Sequence, residues 1–153
     1  MEWNNYKQND AGNDKYGEER IKLAVFLRDS VFVHLQNTVF IENGTLLGAW
    51  RNSTFLAHDD DFDYGILIDS KIEISNILEV IRDRLPDNYS CRRVDSYADK
   101  IEIYEPSFGD YILAGPNYNN ENYHYVTVDL QFYLKQNSDK YRWLDNIANS
   151  VSI

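Results

Sequence analysis

The sequence predicts an α+β domain in which a mixed β-sheet is flanked by helices. Three observations carry that expectation. Helix, strand, helix, strand and helix follow one another from the start of the chain before the pattern changes to a run of strands. Twelve tyrosines and seven phenylalanines point to a sheet-rich body. At 153 residues and 43% hydrophobic, the chain can bury one sizeable core and is not a disordered acidic tail.

Residues 1–14 are polar and are expected as a flexible N-terminal segment, with residues 15–153 as a single domain. Over 15–36, Ile21, Ala24, Val25, Leu27, Val31 and Leu35 recur at the spacing of an amphipathic helix. Val39-Phe40-Ile41 reads as a short strand that Asn43-Gly44 ends. A helix follows over 45–51, its N-terminus supplied by the Gly44-Thr45 turn. Residues 61–68 read as a largely buried strand. Ile74, Ile77, Leu78, Ile81 and Leu85 predict a helix over 71–85 that Pro86 stops. Strands are expected over 89–94, 100–104, 111–114 and, long and alternating, 123–134, with 117–122 a polar loop. Residues 141–148 read as a short C-terminal helix.

The formal net charge of -10 argues against a broad grip on nucleic acid, which rests on Lys/Arg contacts to phosphates. A phosphate-bearing small substrate stays open, because a bound metal reverses the local sign. Cys91 stands alone, so it forms no internal disulfide, and no Cys/His set supports zinc. No apolar run approaches the roughly 20 residues of a membrane-spanning helix. The start Met1-Glu2-Trp3-Asn4-Asn5 lacks the basic and apolar stretches of a signal peptide. Two glycosylation sequons, Asn43-Gly44-Thr45 and Asn52-Ser53-Thr54, fall where a glycan would block the candidate site. Together these point to a cytoplasmic protein.

Most of the chemistry lies in Gly44-Thr45-Leu46-Leu47-Gly48-Ala49-Trp50-Arg51 and in His58-Asp59-Asp60-Asp61-Phe62-Asp63-Tyr64-Gly65. Carboxylates this crowded repel, each pair about 4 Å apart costing on the order of 4 kcal/mol at an effective dielectric near 20. A divalent cation removes that cost. Asp61 and Asp63 stand two apart at the start of a strand and so share a face, with Asp59 in phase if the extended backbone begins early. Asp129, an acidic residue within Val126-Thr127-Val128-Asp129-Leu130, is the natural third member of an oxygen-rich bed for Mg²⁺ or Mn²⁺. The plainer alternative is a solvated acidic turn, with Asp129 capping or pairing with an arginine.

An EF-hand-type calcium loop fails on this sequence. Asp59, Asp61 and Asp63 fit its first, third and fifth places, but Tyr64 holds the sixth, where glycine is needed, and Ser70 the twelfth, where glutamate is needed. Gly44 and Thr45 either cap a helix or let phosphate oxygens approach its N-terminal N–H groups. Arg51 either forks onto a phosphate or pairs with a nearby aspartate. His58 either orients a ligand or is a plain loop histidine. Lys100, Arg92 and Arg93 are either phosphate contacts from the later strands or exposed solubilising charge.

At these residues the chain resembles the LicD/fukutin-type family within the polymerase-β-like nucleotidyltransferase superfamily. Gly44-Thr45-Leu46-Leu47-Gly48-Ala49-Trp50-Arg51 is similar to that family's glycine-rich signature, and Asp59-Asp60-Asp61-Phe62-Asp63-Tyr64-Gly65 to its carboxylate signature. Asp129 in Val128-Asp129-Leu130-Gln131-Phe132 resembles its later aspartate, and Lys100-Ile101 its basic middle strand. Two departures stand out: Ala57-His58 where the family has Pro-Trp, and Leu130-Gln131-Phe132 where it has Ile-Phe-Pro.

The resemblance implies a minimal nucleotidyltransferase-like domain. It further implies a Mg²⁺- or Mn²⁺-dependent transfer of a phosphorylated group, phosphocholine or a polyol phosphate, from a CDP-activated donor to a hydroxyl, commonly of a glycan. By position, Asp61, Asp63 and Asp129 would hold the metal, with Asp59 beside them. Gly44, Thr45, Arg51 and Lys100 would contact donor phosphates. Two readings compete: a nucleotidyltransferase that attaches NMP to a small molecule, protein or RNA end, and a non-catalytic module that binds nucleotide or glycan.

Overall fold

The structure is a computed structural model that describes residues 16–56, 59, 61–94, 98–111, 122–124 and 126–144. The expected flexible segment 1–14, His58, and most of the expected 117–122 loop lie outside the described residues.

The first helix, α1, spans Gly17–Phe26. It continues through a π-helical turn, Leu27–Val31, and a 3₁₀ turn, Phe32–His34. Such irregular turns shift the side-chain phase, and here Leu23, Ala24, Leu27, Val31 and Phe32 all stay buried. Strand β1, Val39–Ile41, leads into α2, Asn43–Asn52, which is longer at its start than the expected 45–51. Helix α2 ends at Ser53, whose φ of 55° is left-handed and whose N–H reaches the Ala49 carbonyl at 3.2 Å. Strand β2 covers Phe62–Ile68 and α3 covers Ile72–Arg82. The buried residues of α3, Ile74, Ile77, Leu78 and Ile81, follow the helical spacing of the sequence.

The later strands are β3 Ser90–Val94, β4 Lys100–Tyr104, β5 Gly109–Tyr111, β6 Asn122–His124, β7 Thr127–Asn137 and β8 Lys140–Trp143. Three expectations need correction. The long strand over 123–134 is two strands: β6 pairs with β5, whereas β7 joins the main sheet. The strand expected at 111–114 ends at Tyr111, and 112–114 lie outside the described residues. Of the helix expected over 141–148, residues 141–143 belong instead to strand β8, which pairs antiparallel with β7, and 145–148 lie outside the described residues. The two residues between Asn137 and Lys140 make the turn, where the Asp139 N–H donates to the Asn137 side chain at 3.2 Å. Local Asn/Asp turn chemistry outweighs a weak helical period over so short a stretch.

The six-stranded sheet runs β1-β2-β7-β4-β3, with β8 also on β7. It is mixed, because β2 and β7 are parallel and the other neighbours antiparallel. Strand alternation makes its two faces unlike. One carries Ile66, Ile68, Val128, Leu130, Phe132, Ile101 and Ile103, all packed into one core with α1 and α3. Each such buried aliphatic side chain contributes about 1.5–3 kcal/mol. The other face carries Asp63, Asp129, Glu102 and Arg92, directly opposite one another across β2, β7, β4 and β3. Among the described residues, no helix is long and apolar enough to cross a membrane.

Candidate functional site

The site is assembled where β1 hands over to α2. Glu42 is extended and Asn43 has a φ of 47°. Asparagine tolerates this left-handed conformation better than most residues. The turn grips the start of β2 from both sides. The Glu42 N–H donates to the Asp63 carbonyl at 3.2 Å, and the Asp63 N–H donates to Thr45 Oγ1 at 2.8 Å. The glycine-hydroxyl signature and the carboxylate signature are therefore physically joined through Asp63.

Gly44 has a packing role. A Cβ there would lie 2.5 Å from Asp59 Oδ1 and 2.6 Å from Oδ2, so the missing side chain makes room for the Asp59 carboxylate. Carboxylate oxygens of Asp59, Asp61 and Asp63 lie within 4.8 Å of one another. Asp63 is the buried member, 5% exposed, and Gln131 donates to its Oδ1 at 3.2 Å. Burial, then the charge of Asp129, pushes the Asp63 carboxyl up to about 7, and Asp59 and Glu42 add to the rise against the Gln131 hydrogen bond.

Asp129 sits directly across from Asp63 in the parallel β2–β7 pair and is 3% exposed. Its Oδ2 accepts from Lys100 Nζ at 2.5 Å. Lys100 also lies 3.0 Å from Glu102 Oε1, and Glu102 Oε2 takes Arg92 Nε at 2.7 Å. Burial alone would raise the Glu102 carboxyl, but Lys100 and Arg92 outweigh it and hold it below the usual glutamate range. Lys100 is buried, so its reading as exposed solubilising charge does not hold. Arg92 and Arg93 are paired with carboxylates, Arg93 gripping Asp99 through two bonds of 2.7 and 2.6 Å. Arg51 is exposed in the last turn of α2, and no ion pair among the described residues joins it to Asp59, Asp61 or Asp63.

The donor set is all oxygen and dense in negative charge, which suits a hard divalent cation, and an ion there would relieve the burden on Asp63. Asp59, Asp61 and Asp63 come together as one group, while Asp129 flanks it from the next strand. Sequence reasoning passed over Glu42, Glu102, Gln131 and Tyr133. Gln131 and Tyr133 share the strand parity of Asp129 against apolar Val128, Leu130 and Phe132, a signal present in the alternation of β7.

The family model described as LicD/FKTN/FKRP, nucleotidyltransferase domain, matches residues 36–148. Uncharacterized protein RP689 of Rickettsia prowazekii (strain Madrid E) is 33% identical over 82 residues, which cover 50% of this chain and 31% of that protein. The matched stretch thus spans about a third of the length of that curated relative. The family match takes in both signatures, the Lys100 strand and Asp129, and the chain belongs to the LicD/FKTN/FKRP nucleotidyltransferase-domain family.

Proposed function

We propose that this chain is a metal-dependent transferase. It moves a phosphorylated group of the phosphocholine or polyol-phosphate type from a CDP-activated donor to a hydroxyl of a glycan. Members of its family are transferases of the phosphotransferase type. One observation carries the reading: the Gly44-Thr45 turn holds Asp63 by its backbone within a carboxylate triad, with Asp129 in register on the next strand. We place the fold in the polymerase-β-like superfamily on the same grounds. The net charge of -10 weighs against a nucleic-acid acceptor, and sequons at Asn43 and Asn52 support a cytoplasmic setting.

Asp61, Asp63 and Asp129, with Asp59, would hold Mg²⁺ or Mn²⁺. When bound, such an ion neutralises charge on the donor phosphates and lowers the pKa of the attacking hydroxyl. The chain supplies the rest. Thr45 and Glu42 fix the backbone that carries Asp63. Lys100 holds Asp129 in place and brings positive charge toward the phosphates. Asp129 or Asp61 takes the proton from the acceptor hydroxyl. The first turn of α2 offers N–H groups to a phosphate, and Arg51 adds donors from its exposed end.

The test is transfer from CDP-choline or a CDP-polyol to a glycan acceptor, with Mg²⁺ or with chelator. Transfer with CMP release, lost in chelator and in Asp63→Ala, is expected. Full activity in Asp63→Ala sinks the mechanism, and a product that retains the nucleotide makes the protein a nucleotidyltransferase instead.

A further inference from the structure

Glu42 is a buried carboxylate that the proposed ligand set does not use. It is 4% exposed, between β1 and the Gly44-Thr45 turn. Its Oε2 accepts a hydrogen bond from the Tyr133 hydroxyl, while its Oε1 is buried with no hydrogen-bond partner among the described residues. An unsatisfied buried acceptor costs about 1–3 kcal/mol, more if charged, so a donor from a bound species is the natural way to satisfy it.

The backbone and the charge of Glu42 both meet the triad at Asp63. The Glu42 N–H is hydrogen-bonded to the Asp63 carbonyl at 3.2 Å, and the charge of Glu42 acts on the Asp63 carboxyl. Tyr133 lies on the same face of β7 as Asp129, four residues further along, and its ring packs on Phe40 with centroids 5.6 Å apart. Burial, then the hydrogen bond to Glu42, then the charges of Glu42 and Asp63 push the Tyr133 phenol up. Glu42 is not among the carboxylates whose oxygens lie within 4.8 Å of one another, Asp59, Asp61 and Asp63.

We propose that Glu42 is a positioning residue for the cation: Oε1 accepts a hydrogen bond from a water bound to a divalent ion on Asp59, Asp61 and Asp63, and Tyr133 fixes the carboxylate for that task. The inference rests on the metal-dependent reading above. Mg²⁺ keeps several of its waters in protein sites, and acceptors one layer out fix their orientation.

The test uses the full chain and Mn²⁺ alone, with free ion followed by electron paramagnetic resonance. Glu42→Gln is expected to weaken Mn²⁺ binding about tenfold, the lower end of the usual loss for such a partner. Its melting temperature should stay near wild type. Glu42→Gln with wild-type Mn²⁺ affinity overturns the proposal, and if Asp63→Ala still loses the ion, the metal reading survives. Wild-type affinity in Asp63→Ala overturns both. Should Glu42→Gln fail to fold, wild-type crystals grown with Mn²⁺ decide. A metal-bound water on Oε1 supports the proposal, and direct ligation by Oε1 or a protein donor on it overturns it.

Discussion

Asp63 is held at three points: its N–H by Thr45, its carbonyl by Glu42 and its carboxylate by Gln131. Thr45→Val keeps the shape but leaves the Asp63 N–H without its acceptor, and should lower stability by about 1–3 kcal/mol in a denaturant titration. Gly44→Ala should act differently. Its Cβ would meet the Asp59 carboxylate at 2.5 Å, the far end of a side chain that can swing away. We expect a small change in melting temperature and a clear loss of Mn²⁺ affinity; unchanged Mn²⁺ binding would remove Asp59 from the ligand set. Asp61, Asp63 and Asp129 were legible in the sequence as candidates, the first two by charge crowding at shared strand parity and the third as an acid within an apolar strand. Glu42 and its pairing with Tyr133 were not. Their meeting joins residues 91 apart in sequence through a parallel pairing, which no local pattern announces.

Helix α2 links the turn to the loop that brings Asp59 back, and Gly48 is where they touch. A Cβ at Gly48 would lie 2.4 Å from the Thr54 carbonyl oxygen and 3.0 Å from the Leu56 nitrogen, both backbone atoms. Gly48→Ala must therefore move the loop, whereas at most positions in a helix alanine is the more stable residue. A loss of about 1–3 kcal/mol is expected, typical of overpacking, with Mn²⁺ affinity falling alongside. A variant as stable as wild type would show that the loop yields freely. Elements with strong periods were read in kind: α3 buries Ile74, Ile77, Leu78 and Ile81 as its spacing predicts, but it ends at Arg82, short of the expected Leu85, which is half-buried beyond it. The misread stretches had weak or ambiguous patterns. Strand β8 is four residues long and depends on a two-residue turn, and the break between β6 and β7 falls inside one alternating run. Neither depends on hydrophobic period alone.

At the scale of the whole molecule, one sheet face is an apolar core and the other a row of charges, so stability must answer to pH and to metal together. Asp63 is raised to about 7 by burial and Asp129, against about 3.9 for an unfolded aspartate. Between those values the folded chain binds a proton that the unfolded chain has lost. The Asp63 contribution is thus fully present below about pH 4 and is lost as pH rises through 7. Glu42, raised by burial, adds in the same direction. Glu102, lowered by Lys100 and Arg92 against its burial, runs the other way and loses its contribution in acid. A divalent ion needs the ionised carboxylate, so it competes with the proton on Asp63. At saturating excess, about 100 times the dissociation constant, binding adds roughly 2.7 kcal/mol. Melting curves from pH 4 to 8, in chelator and in Mg²⁺, should therefore separate as pH rises, with the Mg²⁺ shift larger at pH 8 than at pH 5. In Asp63→Asn the chelator curve should flatten and the Mg²⁺ shift shrink at every pH. Equal Mg²⁺ shifts at pH 5 and pH 8 in wild type would mean that the ion does not compete for the Asp63 proton, and the triad would lose its standing as the metal site.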